Sequence, residues 1–225
     1  LGTEEPDMEK DIPVLVTNNQ PVDKWLEKVS DSPLRFKTKG VGEPKDMSLI
    51  PFYGMHHQHY MVYWDLFTTE EWKDMQEAYK NELKRLQDLD KITVDYVTLG
   101  EMQPERDHNF RGEGIGNGVS HRKKWRAAWI GWFEFDMKVL PDVPQDLHVT
   151  YWGGETAHLE FDIYVDGKVL ARQHLYQNKP NQFFEGVYSL PEHFWKGKEK
   201  ITIRFKGVPG NWTGAIYNAR IAKHE

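Results

Sequence analysis

The sequence predicts a mostly β protein: a jelly-roll or β-sandwich C-terminal domain, preceded by a partial β-sandwich and one amphipathic linking helix. Three observations carry this. Short runs with period-two alternation recur beyond residue 92, separated by turn residues, which is the pattern of sandwiches and jelly rolls. One uninterrupted segment instead repeats apolar residues every three or four positions, which is the pattern of a surface helix. Strands and helices do not alternate along the chain, which counts against a Rossmann-type parallel sheet. These patterns divide the 225 residues into 1–67, the tail of a sandwich; 68–91, the linking helix; and 92–225, the C-terminal sandwich.

In the first zone the candidate strands are Ile12–Thr17, Leu34–Thr38, Met47–Tyr53 and His59–Leu66, separated by Pro, Gly and Asp. Their β-branched and aromatic residues suit a pleated surface, and Pro13 and Pro51 belong at strand starts or edges. The helix begins at about Thr69. Thr68 and Glu71 have the spacing of a capping box, in which each side chain satisfies an orphan N–H. Trp72, Met75, Tyr79, Leu83, Leu86 and Leu89 form its apolar stripe, expected to pack on sandwich surface. In the third zone the candidates are Trp132–Val139, Leu147–Trp152, Leu159–Val165, Lys168–Leu175, Phe183–Leu190, Lys200–Phe205 and Ala215–Ile221. Asp166-Gly167 between two of these is a hairpin signal, because a type I′ turn needs positive φ at both central residues.

Composition narrows function. The chain has no cysteine, which removes disulfides, thiolate zinc sites and cysteine nucleophiles. Its net charge is −6, against the basic balance of a nucleic-acid binder. No apolar run approaches the roughly 18 residues that span a bilayer. Leu1–Pro6 lacks the basic start and apolar stretch of a secretory leader, and the chain reads as a piece of a longer protein. Aromatics are 13% of residues and include nine Trp.

Several clusters invite chemistry. His56, His57 and His59 lie in an aromatic strand, with Tyr60 beside them. His57 and His59 share a face, a geometry that suits a metal, but a closed zinc site needs four ligands and no cysteine supplies them. The plainer reading is a set of hydrogen-bonding histidines at a domain boundary. Residues 101–131 read as a long loop punctuated by Gly112, Gly114, Gly116 and Gly118. No Gly-Lys-Ser/Thr or helix follows, so this is not a phosphate loop. Arg106, Asp107, His108, Arg111, Glu113 and His121 offer a polar floor. His121–Arg126 is a local basic patch with an aromatic, fit for an acidic sugar or a phosphate; the alternative is a solvated, salt-bridged loop. Arg106 and Arg111 are expected to pair with Asp107 and Glu113 and to order the stretch without metal. Glu134 with Asp136, and Glu160 with Asp162, lie two apart on strands. Such pairs are the raw material of a glycosidase, although solvent-facing pairs are commoner. Trp125, Trp129, Trp132, Trp152, Trp195 and Trp212 are what a carbohydrate platform requires, since a sugar's C–H face stacks on an indole. Trp152 and Trp212 are expected to be the exposed ones, and core packing claims some of the rest.

Leu49-Ile-Pro-Phe-Tyr-Gly-Met-His-His-Gln-His-Tyr-Met-Val-Tyr-Trp64 resembles the motif that follows the catalytic barrel in glycoside hydrolase family 127, the β-L-arabinofuranosidase-like proteins. Gln103–His108, Arg111–Gly114, Trp125-Arg126 and Gly131–Phe133 are similar to the region further downstream. Val149–Gly154, Phe161–Gly167 and Gly197–Phe205 continue the likeness over nearly the whole chain. His59 stands where many relatives are expected to carry Arg. The resemblance implies a bacterial enzyme of plant-glycan breakdown, acting outside the cytoplasm, in the periplasm. Its helical barrel, cysteine nucleophile, zinc-binding cysteines and glutamate have no counterparts here. By this resemblance the chain is a non-catalytic accessory region with no cofactor and no metal. It buttresses the barrel of the same polypeptide, binds a glycan, or does both. Trp125, Trp152, Trp212, Arg106, Arg111, Glu113 and His121 are the carbohydrate-binding candidates. His56, His57, His59 and Tyr60 are the barrel-facing ones. A purely structural module and an independent glycosidase using a carboxylate pair are the alternatives.

Overall fold

The computed structural model describes residues 14–51, 53 and 65–224. The candidate strand at His59–Leu66 lies almost wholly outside the described residues, as do His56, His57, His59 and Tyr60. The chain divides into two compact units, residues 1–85 and 86–225.

In the first unit, β1 (Val14–Val16), β2 (Leu26–Asp31), β3 (Leu34–Thr38), β4 (Gly42–Glu43), β5 (Ser48–Leu49) and β6 (Leu66–Phe67) form two small sheets among the described residues, ordered β4-β1-β6 and β2-β3-β5. Leu15, Trp25 and Val41 make their core. Asp46 ties the β3–β4 connection by accepting from the amides of Gly40, Val41 and Gly42 and the hydroxyl of Thr38. These donors, the Gly40 amide foremost, hold its carboxyl down at about 2.

The helix α1 runs Thr69–Ile92. Its capping box forms: the Thr68 amide donates to Glu71 Oε2 at 2.7 Å, and the Glu71 amide to Thr68 Oγ1 at 3.2 Å. The apolar stripe departs from expectation. Trp72 is half-buried and its ring lies 5.5 Å from Phe67, and Leu89 is buried, but Met75, Tyr79, Leu83 and Leu86 are exposed. The three- and four-residue spacing specifies a face; it does not specify that something covers it.

The second unit contains β7 (Thr93–Thr98), α2 (Met102–Asp107), β8 (Arg111–Ser120), β9 (Lys123–Lys138), β10 (Gln145–Trp152), β11 (Leu159–Val165), β12 (Lys168–Leu175), β13 (Phe183–Ser189), α3 (Glu192–Trp195), β14 (Lys200–Gly207) and β15 (Ile216–Lys223). These strands are ordered β12-β11-β14-β9-β15-β10-β13, with β7 beside β15 and β8 beside β9. The long strand β9 joins two layers. Its Trp132–Lys138 half pairs with β14, whereas Arg126 pairs with Ile216 of β15. The layers are thus β12-β11-β14-β9 and β13-β10-β15-β7. Phe161, Ile163, Ile203, Phe205, Phe133 and Phe135 from the first share one core with Leu147, Val149, Tyr151, Ala219 and Ile221 from the second. This is a mostly β, jelly-roll-like sandwich. β11 alternates buried and half-buried positions without a break, and the middle of β14 does the same. Asp166 and Gly167 have φ of 48° and 79°, the I′ signature.

The stretch read as a glycine-punctuated loop is not a loop. Residues 102–107 are helix, and residues 111–138 form the β8–β9 hairpin. Glycines normally weaken a strand, but here β9 supplies the missing bulk. A Cβ on Gly116 would stand 2.7 Å from the Trp129 indole, and one on Gly118 2.5 Å from the Trp125 indole. Trp195 proves to be core, its Nε1 donating to the Leu190 carbonyl at 2.9 Å. Trp132 lies under the guanidinium of Arg204, 4.3 Å away.

At the end of α2, His108 faces two acceptors, the Pro104 carbonyl at Nδ1 (2.6 Å) and Asp95 Oδ1 at Nε2 (3.3 Å). Both ring nitrogens are donors only in imidazolium. Asp95 raises the His108 pKa from its ordinary 6.5, with burial working against it. Burial pushes Asp95 up, but hydrogen bonds from His108 and the amides of Lys138 and Tyr96 outweigh it and leave its pKa lowered. The raised imidazole contributes stability that is full below about pH 6.5 and is lost as pH rises through its folded pKa. The lowered carboxylate contributes stability that is lost in acid. The Tm of the chain is therefore expected to fall as pH rises above about 6.5, and His108→Gln to flatten that part of the profile. An unchanged slope in the variant would refute the assignment.

Candidate functional site

The hairpin brings Trp125 and Trp129 to one face of β9, each indole seated over a strand glycine of β8. Beside them the β14–β15 connection delivers Trp212. Its next residue, Thr213, is fully buried and exchanges two hydrogen bonds with Ala128: the Thr213 amide donates to the Ala128 carbonyl at 3.2 Å, and the Ala128 amide to Thr213 Oγ1 at 2.8 Å. Trp129 follows Ala128 and Trp212 precedes Thr213, so this clamp fixes two indoles as neighbours. Each is 50% exposed. Asn211 steadies the same loop by donating to the His158 carbonyl and accepting from the Trp212 amide.

Trp125, Trp129 and Trp212 wall a cleft of about 630 Å³, together with Trp152, Tyr217, Ser120 and Glu155. Its volume is in the range of small-molecule sites, and aromatic walls with a few polar groups are their usual lining. At the floor, Tyr217 Oη and Ser120 Oγ share a hydrogen bond of 2.8 Å. Burial raises the Tyr217 phenol, with nearby Glu155 adding to it, so the hydroxyl stays protonated at neutral pH. Phe183 meets Tyr217 edge-on at 4.8 Å and Trp152 at 5.2 Å.

His121 stacks on Trp152, with 3.6 Å between ring centroids and 19° between planes. It also occupies, with Arg122, the tip of the hairpin, at φ of 50° and 62°. Left-handed backbone costs a non-glycine residue about 1–2 kcal/mol, and the stacked imidazole offsets part of that cost.

Trp125, Trp152, Trp212 and His121 thus come together. Arg106, Arg111 and Glu113 do not join them. Arg106 is exposed on α2 and Glu113 on β8. The expected pairing of Arg106 and Arg111 with Asp107 and Glu113 is not what forms: Arg111 and Asp107 take other partners. Register sets Arg111 opposite Glu134, so Arg111 binds Glu134 at 2.7 Å and approaches Asp136 at 3.6 Å. Asp107 instead accepts from Gln103. The basic patch at 121–126 is also dispersed, because alternation along the strand sends its members to different places. Lys123 lies over Phe183, Lys124 pairs with Glu101, and Arg126 pairs with Glu105. Both carboxylate pairs are held by cations: Glu134 and Asp136 by Arg111, Arg204 and Lys200, and Glu160 and Asp162 by Arg172. Among the described residues no group of three or more His, Asp or Glu is placed to hold a metal. No helix among them is long and apolar enough to cross a membrane. Ser120, Glu155, Thr213 and Tyr217 gave no signal in the sequence, since each is ordinary in its segment and matters only through the fold.

Fold and cleft together define a jelly-roll-like β-sandwich that carries an aromatic cleft. The chain belongs to a family of unknown function, DUF6805, whose model matches residues 88–222, and a further domain of unknown function, DUF4986, matches residues 5–66. No curated protein matches the sequence. Among solved structures, a family 35 carbohydrate binding module from Clostridium thermocellum is similar at 16% identity and a TM-score of 0.44, covering 58% of this chain and 99% of its own. The CBM36-1 domain of a multidomain xylanase from the hindgut metagenome of Trinervitermes trinervoides is similar at 12% identity and a TM-score of 0.41, covering 58% and 97%. An exo-β-1,3-galactanase from Phanerochaete chrysosporium is similar at 11% identity and a TM-score of 0.40, covering 50% and 27%.

Proposed function

We propose that this chain is a carbohydrate-binding, non-catalytic accessory region of a plant-glycan-degrading glycoside hydrolase of the β-L-arabinofuranosidase-like kind, acting in the periplasm. In this reading residues 1–67 end the sandwich that follows the catalytic barrel, 68–91 link, and 92–225 bind. One observation carries the binding: four indoles, of Trp125, Trp129, Trp152 and Trp212, wall a cleft whose floor carries the hydroxyls of Tyr217 and Ser120. A sugar has the matching surfaces, an apolar C–H face for the indoles and hydroxyls for the floor. The resemblance of the sequence to family 127 supplies the parent enzyme. The chain's lack of cysteine, with both carboxylate pairs engaged by cations, supports the absence of catalysis. Buttressing of the barrel by the same region draws on the exposed row Met75, Tyr79, Leu83 and Leu86 of α1.

The test is affinity electrophoresis of the 225-residue chain through gels containing arabinan, xylan or galactan. At least one is expected to retard it, and Trp152→Ala and Trp212→Ala to abolish the retardation while the far-UV spectrum is kept. The same preparation should release no 4-nitrophenol from an arabinofuranoside. Free migration in all three gels would overturn the binding, and turnover lost on mutating a carboxylate would overturn the non-catalytic assignment.

A further inference from the structure

The indole ridge has a second side. Trp129, Ile130 and Trp212, which wall the cleft already described, also wall a second cleft of about 400 Å³. Gly131, Lys206, Gly207 and the turn Val208–Asn211 complete it. The two clefts differ in chemistry. The first is bounded by Trp125, Trp152 and Tyr217, and the second offers the Lys206 ammonium, the Asn211 side chain and the small residues Pro209 and Gly210.

The main chain under the ridge is tied down. The Thr213–Ala128 exchange joins the backbone beside Trp129 to that beside Trp212, and the turn behind Trp212 is closed by the Asn211 backbone amide donating to the Val208 carbonyl at 2.8 Å and the Val208 amide to the Glu160 carbonyl at 3.1 Å. A single sugar on one side leaves the outer faces of the ridge and the polar rim beyond it in water. A chain laid over the ridge covers both.

We infer that the ligand of this site is an oligosaccharide that crosses the Trp129–Trp212 ridge, with sugar residues in both clefts, so that the protein grips a stretch of a glycan chain rather than one terminal sugar. This rests on the carbohydrate-binding reading above. The first cleft supplies stacking and the second supplies the Lys206 ammonium as a hydrogen-bond donor to hydroxyls. Once the first sugar is bound, its neighbour meets the second cleft at high effective concentration, so occupancy of both multiplies affinity.

Calorimetry with arabino-, xylo- and galacto-oligosaccharides of one to six residues tests it. The expected result is affinity that rises at least tenfold from the monosaccharide to the hexamer of the best-bound series. The variant Lys206→Ala should remove most of that rise and leave the affinity for the monosaccharide unchanged, because Lys206 lines the second cleft and not the first, with an unaltered Tm showing that the fold is intact. Binding that is the same for short and long members, or a Lys206→Ala variant equally weakened for both, would overturn the two-cleft inference and leave carbohydrate binding standing. No binding by any member of the three series, with no retardation in the polysaccharide gels, would overturn both.

Discussion

Replacing Arg126 by methionine is expected to destabilise the sandwich by about 3–5 kcal/mol, the range for removing one partner of a buried ion pair. Glu105 sits on α2 with its side chain 6% exposed, and it accepts from Arg126 Nε at 2.6 Å, Arg126 Nη2 at 2.7 Å and the Gly100 amide at 2.7 Å. Methionine fills much of the space of the arginine stem but leaves the carboxylate with one donor. The guanidinium also packs over Phe110, 5.1 Å from its centroid, so a cation–π contact is lost as well. The location raises the stakes, because Arg126 is the residue of β9 that pairs with β15, where one layer of the sandwich passes into the other. Urea unfolding of Arg126→Met, Glu105→Gln and the double variant would measure the coupling. The double variant is expected to recover part of the loss, since it buries no unpaired charge. A single-variant cost below about 1 kcal/mol, the range of exposed pairs, would show that the pair is solvated.

Legibility in the sequence followed how local the cause of each element is. β3, β11 and β12 span the residues the sequence marks, and for β11 the alternation lies within the segment itself and the Asp166-Gly167 turn signal directly after it. The capping box of α1 is equally local, two residues three positions apart, Thr68 and Glu71, that satisfy each other's amides. β8 was not legible. Its glycines argue for a loop until the cross-strand indoles are known, and those come from the facing strand. Salt-bridge partners failed for a related reason: sequence proximity pairs Arg111 with Glu113, whereas strand register pairs it with Glu134, 23 positions on. The same limit applies to the cleft. The need for tryptophans was visible, but which of them share a cavity depends on β9 crossing between layers. The middle of the α1 stripe was read as buried from periodicity, and periodicity has no term for the partner.

Valine at Gly118 is expected to abolish retardation by polysaccharide while the sandwich stays folded, and alanine at Gly131 to do the opposite first, destabilising the fold. Both glycines lie in the β8–β9 hairpin, and both have no room for a Cβ, but what fills the space differs. Over Gly118 it is the Trp125 indole, whose Cζ2 and Cε2 would stand 2.5 and 2.9 Å from a Cβ. An indole at the wall of an open cleft can swing, so the branched side chain displaces Trp125 and the seat for a sugar ring is lost. Gly131 faces main chain instead, the carbonyl of Glu113 and the amide of Gly114, at the bulge where the β8–β9 register shifts. Main chain in a paired ladder cannot move aside without breaking hydrogen bonds, so overpacking there should cost about 1–3 kcal/mol. Thermal melts and affinity gels run on both variants separate the two effects. Retention of Gly118→Val by the polysaccharide that retards the wild type would show that the Trp125 wall is dispensable. A Gly131→Ala melt equal to wild type would show that the hairpin yields where the geometry says it is closed.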